Sequence, residues 1–261
     1  MAAYPDGVPC WADAALPDVE AGKRFYGEVF GWTFDESPAR EYGFYTNAFL
    51  DGRRVAALAP KSDGRMPTVW SVYLAASDAR ATAERIREAG GRVIMEPLRV
   101  GPHGTMAVAA DPSGAVFGLW QAGEHTGFEV EGEPGSYAWT EVYTRDKEAV
   151  DPFYESVFGF GGFDLPDASI DFRTWSPAGE KAGPETAIGG RSVISSAMPA
   201  EMPAHFLVYF AVADCDGTAE HIARLGGRIT REPFDTPYGR MSVVSDDQGA
   251  VFAVIALADD Q

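Results

Sequence analysis

An internal duplication constrains the fold more than any other feature of the sequence. A strand–turn–helix pattern over residues 11–32 reads WADAALPDVEAGKRFYGEVFGW, and it returns over residues 139–160 as WTEVYTRDKEAVDPFYESVFGF. The leading tryptophans, Trp11 and Trp139, align at the same offset of 128 as the phenylalanine–tyrosine pairs and the closing glycines. A repeat of this kind indicates a fold built from repeated supersecondary units.

A second pair of related units follows the two opening patterns. TAERIREAGG at residues 82–91 returns as TAEHIARLGG at residues 218–227. Apolar residues alternate before and after each predicted helix, and Gly-Gly, Asp-Gly and Asp-Pro pairs mark the turns. Each unit therefore reads β-α-β-β-β. The four units are predicted at residues 8–60, 67–121, 137–196 and 203–258.

The units group into two predicted domains of α+β class. The first domain covers residues 1–122 and the second covers residues 137–261. Residues 123–136 between them are acidic, polar and rich in glycine, which is typical of a linker. His125 lies in this linker and is expected to be inert.

The charge and composition of the chain limit the classes of partner that we expect it to bind. The chain has 21 basic and 39 acidic residues, for a net charge of −18, so it repels nucleic acid and anionic membranes. No apolar run approaches the ~20 residues of a spanning helix, and the N-terminus lacks the features of a secretory signal. Cys10 and Cys215 are expected to be reduced thiols of a cytoplasmic protein. The oligomeric state, monomer or homodimer, stays open.

The motifs resemble those of a known superfamily. A strand–turn–helix with FYxxVFG, followed by a second unit ending DPSGAVFGLW, is similar to the vicinal oxygen chelate proteins. That superfamily includes glyoxalase I, extradiol dioxygenases and bleomycin-resistance proteins, and the nearest resemblance is to two-domain actinobacterial members labelled hydroxylase-like, lyase-like or glyoxalase-like. The resemblance implies four βαβββ units in two glyoxalase-like domains, with curved mixed sheets around clefts.

The resemblance also implies where a metal would bind. In metal-using members, His, Glu or Gln ligands come from the first and last strands of the paired units. The matching first-strand positions here are Trp11, Ser71, Trp139 and Leu207, and the matching last-strand positions are Gly118 and Ala253. The last strand of the third unit is expected at about residues 186–190, with Glu185 at its edge. None of these residues forms a family-type ligand set, so no metal and no cofactor are expected. The alternative is a metal-dependent lyase or dioxygenase of glyoxalase type with ligands that the motifs do not reveal.

Strand alternation predicts which side chains face the clefts. Large aromatics beside a few polar groups suit a hydrophobic or aromatic small molecule of antibiotic or polyketide type. Small residues such as Gly118 and Ala253 would leave room for it. The predicted substrate-binding residues are Trp11, Ser71, Tyr73, His103, Trp120, Trp139, Tyr143 and Tyr209. The alternative is a non-catalytic scaffold in which the tryptophans fill both clefts.

Three residues are candidates for acid–base catalysis. Asp13 and Glu141 occupy equivalent positions on the first strands of units one and three, where a carboxylate needs a partner or a raised pKa. Each is interpreted as a general base or as an acceptor for a ligand hydroxyl, or else as a structural partner for a nearby arginine or backbone N–H. Arg173 and Arg191 are the possible neighbours in the second domain. His205 lies on the predicted cleft face of unit four and could pair with Glu141. Whether unit one pairs with unit two or with unit four stays open.

Overall fold

The computed structural model describes residues 4–36, 42–166 and 170–258. Four βαβββ units follow one another along the chain, as predicted. The first comprises β1 (Pro9–Leu16), α1 (Val19–Phe30), β2 (Thr33–Phe34), β3 (Thr46–Leu50) and β4 (Arg53–Pro60). The second comprises β5 (Val69–Ala75), α2 (Ala79–Glu88), β6 (Arg92–Val100), β7 (Gly104–Ala110) and β8 (Val116–Ala122). The third comprises β9 (Tyr137–Thr144), α3 (Lys147–Phe158), β10 (Gly161–Asp164), β11 (Phe172–Ser176) and β12 (Gly189–Val193). The fourth comprises β13 (His205–Ala211), α4 (Cys215–Arg224), β14 (Arg228–Thr236), β15 (Gly239–Ser245) and β16 (Val251–Leu257).

The strands form two mixed sheets, which confirms the predicted α+β class. One sheet has the order β2-β3-β4-β1-β5-β8-β7-β6 and the other has the order β10-β11-β12-β9-β13-β16-β15-β14. In each unit the first strand runs parallel to the last, and the hairpin strands are antiparallel. Units one and two therefore share one sheet, and units three and four share the other.

The helix boundaries follow from capping. An aspartate precedes each helix and accepts backbone hydrogen bonds from its first turn; the four are Asp18, Asp78, Asp146 and Asp214. Helices α1 and α3 end at Gly31 and Gly159, whose φ angles of 72° and 73° favour glycine. The predicted Asp51-Gly52 hairpin is also present, since both residues have positive φ and join β3 to β4.

One strand of the third unit is displaced from its predicted position. Strand β12 begins at Gly189, and a 3-10 turn over Pro184–Thr186 replaces the start of the strand expected at about residues 186–190. Proline suits the first position of a helical turn and interrupts a strand. The shift places Arg191 within β12 and leaves Glu185 in the exposed turn.

Two compact units divide the described chain differently from the two predicted domains. The first compact unit comprises Met1–Trp11, Val72–Gly127 and Thr140–Phe206, apart from the residues that are not described. The second comprises Ala12–Ser71, Phe128–Trp139 and Leu207–Gln261, with the same restriction. The predicted domains at residues 1–122 and 137–261 stay predictions. Residues 128–136 of the predicted linker belong to the second compact unit, where Glu129 pairs with Arg54 at 2.7 Å.

Each compact unit contains a buried tyrosine bound to a buried aspartate. In the second compact unit, the Tyr26 hydroxyl donates to Asp246 Oδ2 at 2.8 Å and accepts from Trp70 Nε1 at 2.9 Å. In the first compact unit, the Tyr154 hydroxyl donates to Asp111 Oδ2 at 3.2 Å. Each tyrosine lies on a helix and each aspartate lies in the turn before the last strand of a βαβββ unit, so each bond fixes a helix against a sheet.

Two further features concern the cysteines and the possibility of a membrane-spanning helix. Both cysteines are buried and neither forms a disulfide, and burial raises the pKa of the Cys215 thiol to about 11. No helix of the described residues has the length and apolar character needed to cross a membrane.

Candidate functional site

Asp13 lies buried on β1, in the second compact unit. Its Oδ2 accepts a hydrogen bond from the Tyr45 hydroxyl at 3.0 Å, and its register partner on β4 is Ala57. Tyr45, just before β3, is not among the predicted site residues, because its contact with Asp13 joins residues 32 positions apart. Asp13 is thus a buried carboxylate with a phenolic donor.

The aromatic residues of the first half pack as core. Trp11 is 2% exposed and Trp120 is 7% exposed. The His125 ring stands edge-on to Trp11 at 4.3 Å, and Trp120 Nε1 donates to the His125 carbonyl at 2.8 Å. His125, expected to be an inert linker residue, is in fact buried between two tryptophans. No spacing rule in the sequence predicts this contact.

The room expected beside Gly118 is filled. A Cβ atom at Gly118 would lie 2.2 Å from Cδ1 of Tyr73, its register partner on β5. Glycine is therefore required here because the tyrosine ring packs on the backbone. The expectation that Gly118 leaves space for a ligand is wrong for this half of the chain.

A carboxylate, a phenol and an imidazole of the first compact unit lie together on β9 and β13. Glu141 is 6% exposed, and its Oε1 accepts a hydrogen bond from the Tyr143 hydroxyl at 2.7 Å. The Tyr143 ring stacks on the His205 ring with centroids 5.0 Å apart and planes 4° from parallel. Tyr143 and His205 are only half-buried. The structure thus brings together three of the predicted site residues, which we call the Glu141–Tyr143–His205 cluster.

The backbone contact of His205 determines which of its ring nitrogens carries the proton in the neutral ring. His205 Nδ1 lies 2.9 Å from the Pro203 carbonyl oxygen. A carbonyl can only accept, so this bond requires the proton on Nδ1. In the neutral ring, Nε2 then carries a lone pair that can accept a proton or a hydrogen bond.

The two arginines proposed as partners of Glu141 bind other carboxylates. Arg191, 1% exposed, donates to both oxygens of Asp151 at 3.0 Å and to Asp171 Oδ1 at 2.7 Å. Arg173 pairs with Asp164 at 2.8 Å. Both arginines line a cavity of about 560 Å³ beside α3, which none of the predicted site residues lines. The suggested pairing of Glu141 with either arginine therefore has no support among these contacts.

The remaining predicted residues lie apart from these contacts. Tyr209 is buried in register with Ala253, and Ser71 and Trp139 are half-buried on β5 and β9. The His103 carbonyl accepts from the backbone N–H groups of Gly123 and His125. Their roles in ligand binding stay predictions.

The donor set does not fit the metal that the fold implies. Among the residues that the structure describes, no group of three or more His, Cys, Asp or Glu side chains could hold a metal ion. The last strands carry small residues opposite the site residues of the first strands. The pairs in register are Ala57 with Asp13, Gly118 with Tyr73, Gly190 with Glu141, and Ala253 with Tyr209.

Comparison with known proteins identifies the family. The model of the glyoxalase/bleomycin resistance protein/dioxygenase superfamily matches residues 11–119 and again residues 136–254. The chain belongs to this superfamily. The two matches also confirm the duplication that opens the sequence.

Relatives in this superfamily cover the chain along its whole length. "Putative glyoxylase CFP32" of Mycobacterium tuberculosis is 38% identical over 99% of this chain and 98% of its own. "Anthracycline biosynthesis protein DnrV" of Streptomyces peucetius is 36% identical over 99% of this chain and 96% of its own.

Solved structures support the fold alone. The Mn(II)-bound glyoxalase from Novosphingobium aromaticivorans aligns with a TM-score of 0.64 and 17% identity, over 97% of this chain and 82% of that one. The 2,3-dioxygenase LapB from Pseudomonas sp. KL28 aligns with a TM-score of 0.62 and 14% identity, over 97% and 93%.

The halves of this superfamily member differ most clearly at the cluster. Glu141 has an acidic counterpart in Asp13, but Tyr143 corresponds to Ala15 and His205 corresponds to Val69. A stacked tyrosine and histidine thus accompany Glu141, whereas the phenolic donor to Asp13 comes from Tyr45, before β3.

Proposed function

We propose that the chain binds a planar, hydroxylated aromatic small molecule of polyketide type at the Glu141–Tyr143–His205 cluster, without a metal. The observation that carries the proposal is the position of Tyr143, which donates to a buried carboxylate and stacks flat on an imidazole. Such a set combines an aromatic surface with a few oriented polar groups, as small-molecule sites do.

Exposure favours the second half as the site. Trp11, Trp120 and Tyr73 of the first half are each less than a tenth exposed, so they offer little surface to a ligand. Tyr143 and His205 are half-buried and keep part of their ring surface accessible. An offset or edge-on aromatic contact contributes about 0.5–1.5 kcal/mol beyond the area that it buries.

The polar groups suit a ligand hydroxyl. Glu141 accepts hydrogen bonds in a largely dehydrated position, and a phenolic ligand could share it with Tyr143. Nε2 of His205, with Nδ1–H donating to Pro203, has the lone pair that a general base needs. The cluster can therefore orient a phenol and move its proton, which is the acid–base chemistry that we propose for any turnover.

The names of two relatives support a hydroxylated aromatic compound of polyketide type as the ligand. Two Streptomyces relatives, each 36% identical over 99% of this chain, are named as anthracycline biosynthesis proteins. Anthracyclines contain fused, hydroxylated aromatic rings, and flat rings of that kind suit a stacked tyrosine–histidine surface.

Titration with 1,8-dihydroxyanthraquinone tests the proposal by calorimetry and by quenching of tryptophan fluorescence. We expect saturable binding by the purified chain, and binding at least about tenfold weaker in Tyr143→Ala and in His205→Ala, equivalent to about 1.4 kcal/mol. Glu180→Gln, at an exposed turn in the same compact unit, is the matched control and should bind like the parent protein.

Three outcomes would contradict the proposal. Absence of binding across a panel of hydroxylated anthraquinones would favour a scaffold role. Unchanged affinity in both ring variants would place the ligand elsewhere. A stoichiometric divalent ion in the purified protein, required for binding, would favour the metal-dependent lyase or dioxygenase reading.

A further inference from the structure

We infer that Arg145 is a positioning residue: it fixes the segment 195–204, so that the Pro203 carbonyl holds His205 in the tautomer with a basic Nε2. The inference rests on the proposed function, because it assigns a purpose to that nitrogen. We call the segment 195–204, which joins β12 to β13, the connector.

Arg145 binds backbone rather than carboxylates. Its Nη2 donates to the Pro199 carbonyl at 2.7 Å and, less closely, to the Ala200 carbonyl at 3.4 Å, while Nη1 lies 3.5 Å from the Ile194 carbonyl. Among the described residues it takes part in none of the recorded ion pairs, although the chain has 39 acidic residues. The rigid fork of the exposed Arg145 guanidinium thus fixes the positions of backbone carbonyls in and beside the connector.

The connector transmits this anchor to the histidine. Two consecutive turns shape it, with Met198 N donating to the Ser195 carbonyl at 3.1 Å and Met202 N donating to the Pro199 carbonyl at 3.1 Å. Pro199 and Pro203 each have a fixed φ, which removes freedom at both ends of the second turn. The Pro199 carbonyl thus receives Arg145 at one end, and the Pro203 carbonyl meets His205 Nδ1 at the other, at 2.9 Å.

The duplicated half keeps the second turn, with Met66 N donating to the Asp63 carbonyl at 3.0 Å before Pro67, but it lacks both the anchoring arginine and the histidine. Arg145 corresponds to Pro17, and His205 corresponds to Val69. Neither counterpart can donate a side-chain hydrogen bond or carry a proton. The anchor and the histidine therefore occur together in one half and are missing together from the other, which is expected if one serves the other.

Long-range ¹H–¹⁵N spectra of the histidine rings in the full chain test the inference without any ligand. The four histidines are few enough to assign, with His205→Asn identifying the signal of interest. At a pH where the ring is neutral, we expect the Nδ1–H tautomer to dominate in the parent protein. Arg145→Ala should change the tautomer ratio about fivefold towards Nε2–H, the effect of losing about one hydrogen bond. Arg145→Lys, which can still donate to one carbonyl, should restore part of the ratio.

Arg87→Ala is the control, because Arg87 is an arginine of the same compact unit that pairs with Glu96 away from the connector. An unchanged tautomer ratio in Arg145→Ala, with melting temperature intact, would overturn the inference, as would an equal change in Arg87→Ala. Titration with 1,8-dihydroxyanthraquinone separates the two claims. If Arg145→Ala shifts the tautomer but the parent protein binds no anthraquinone, the proposed function fails and the positioning role stands.

Discussion

At the residue scale, buried hydroxyl groups show what the sequence can and cannot predict. The helix pattern places Tyr26 and Tyr154 at equivalent positions on buried faces, and both are completely buried. Their hydrogen-bond partners are unpredictable from sequence, because Asp246 lies 220 residues from Tyr26 and Asp111 lies 43 residues from Tyr154. The same holds for Glu141, whose position is predictable from the repeat but whose stacked neighbourhood depends on β13.

The two tyrosines should respond differently to loss of the hydroxyl. Tyr26→Phe removes the donor to Asp246 and leaves the Trp70 indole N–H without its acceptor, so we expect a loss of about 2–4 kcal/mol in the free energy of unfolding. Tyr154→Phe removes one bond, and we expect about 1–2 kcal/mol. Urea unfolding measures both, with Tyr238→Phe at an exposed position as the control. Equal losses in the two variants would show that the indole bond adds nothing.

Asp111 gives stability a distinctive pH dependence. Burial raises the pKa of its carboxyl despite the hydrogen bonds from Ser113, Ala115 and Tyr154 that lower it. A raised folded-state pKa means that its stabilising contribution is complete below the unfolded pKa and is lost as the pH rises through the folded pKa. Asp111→Asn should therefore destabilise the chain more at about pH 4.5 than at about pH 7.5, relative to the parent protein. Urea unfolding at the two pH values checks this, and a penalty that does not vary with pH would refute it.

At the element scale, capping and turn residues predict the ends of helices and hairpins better than strand propensity predicts the ends of strands. The four aspartate caps and the Asp51-Gly52 hairpin are local signals, and all are present. Strand β12 was predicted about three residues too early, since its Gly189-Gly190 start has low strand propensity and Pro184 begins a turn. That strand matters because the buried Arg191 on it pairs with Asp151 on α3 and with Asp171, the residue before β11.

Breaking this ion-pair group should cost more than breaking an exposed pair. Arg191→Met leaves Asp151, 14% exposed at its side chain, without its bidentate partner, and we expect a loss of about 3–5 kcal/mol in the free energy of unfolding. Arg65→Met breaks a pair in which the arginine side chain is 91% exposed, and it should cost at most about 1 kcal/mol. Thermal unfolding at low and high salt compares them. A small effect of Arg191→Met would mean that apolar packing and the remaining pairs, Arg173–Asp151 and Lys147–Asp171, are enough to hold α3 to the sheet.

At the scale of the whole molecule, duplication predicts two sheets but not how side-chain packing differs between the halves. The repeat places a carboxylate on β1 and on β9, and both are buried as the alternation requires. What separates the halves is long-range packing: the Tyr73 ring lies on Gly118, and the rings of Trp11 and His125 meet edge-on. Those contacts depend on side chains far apart in sequence, so the pattern alone could not predict that Trp11 and Tyr73 are buried whereas Tyr143 and His205 are half-buried.

This asymmetry predicts one ligand per chain rather than two. If the first-half residues are core and the Glu141–Tyr143–His205 cluster is the site, calorimetry with 1,8-dihydroxyanthraquinone should give one site per chain. Glu141→Gln should lower the affinity, because an amide oxygen is a weaker acceptor than a carboxylate for both Tyr143 and a phenol. Asp13→Asn should act mainly on stability, through its bond with Tyr45. Two sites per chain, or a ligand affinity that depends on Asp13 and not on Glu141, would reverse the assignment and make the tryptophan-rich half the binding half.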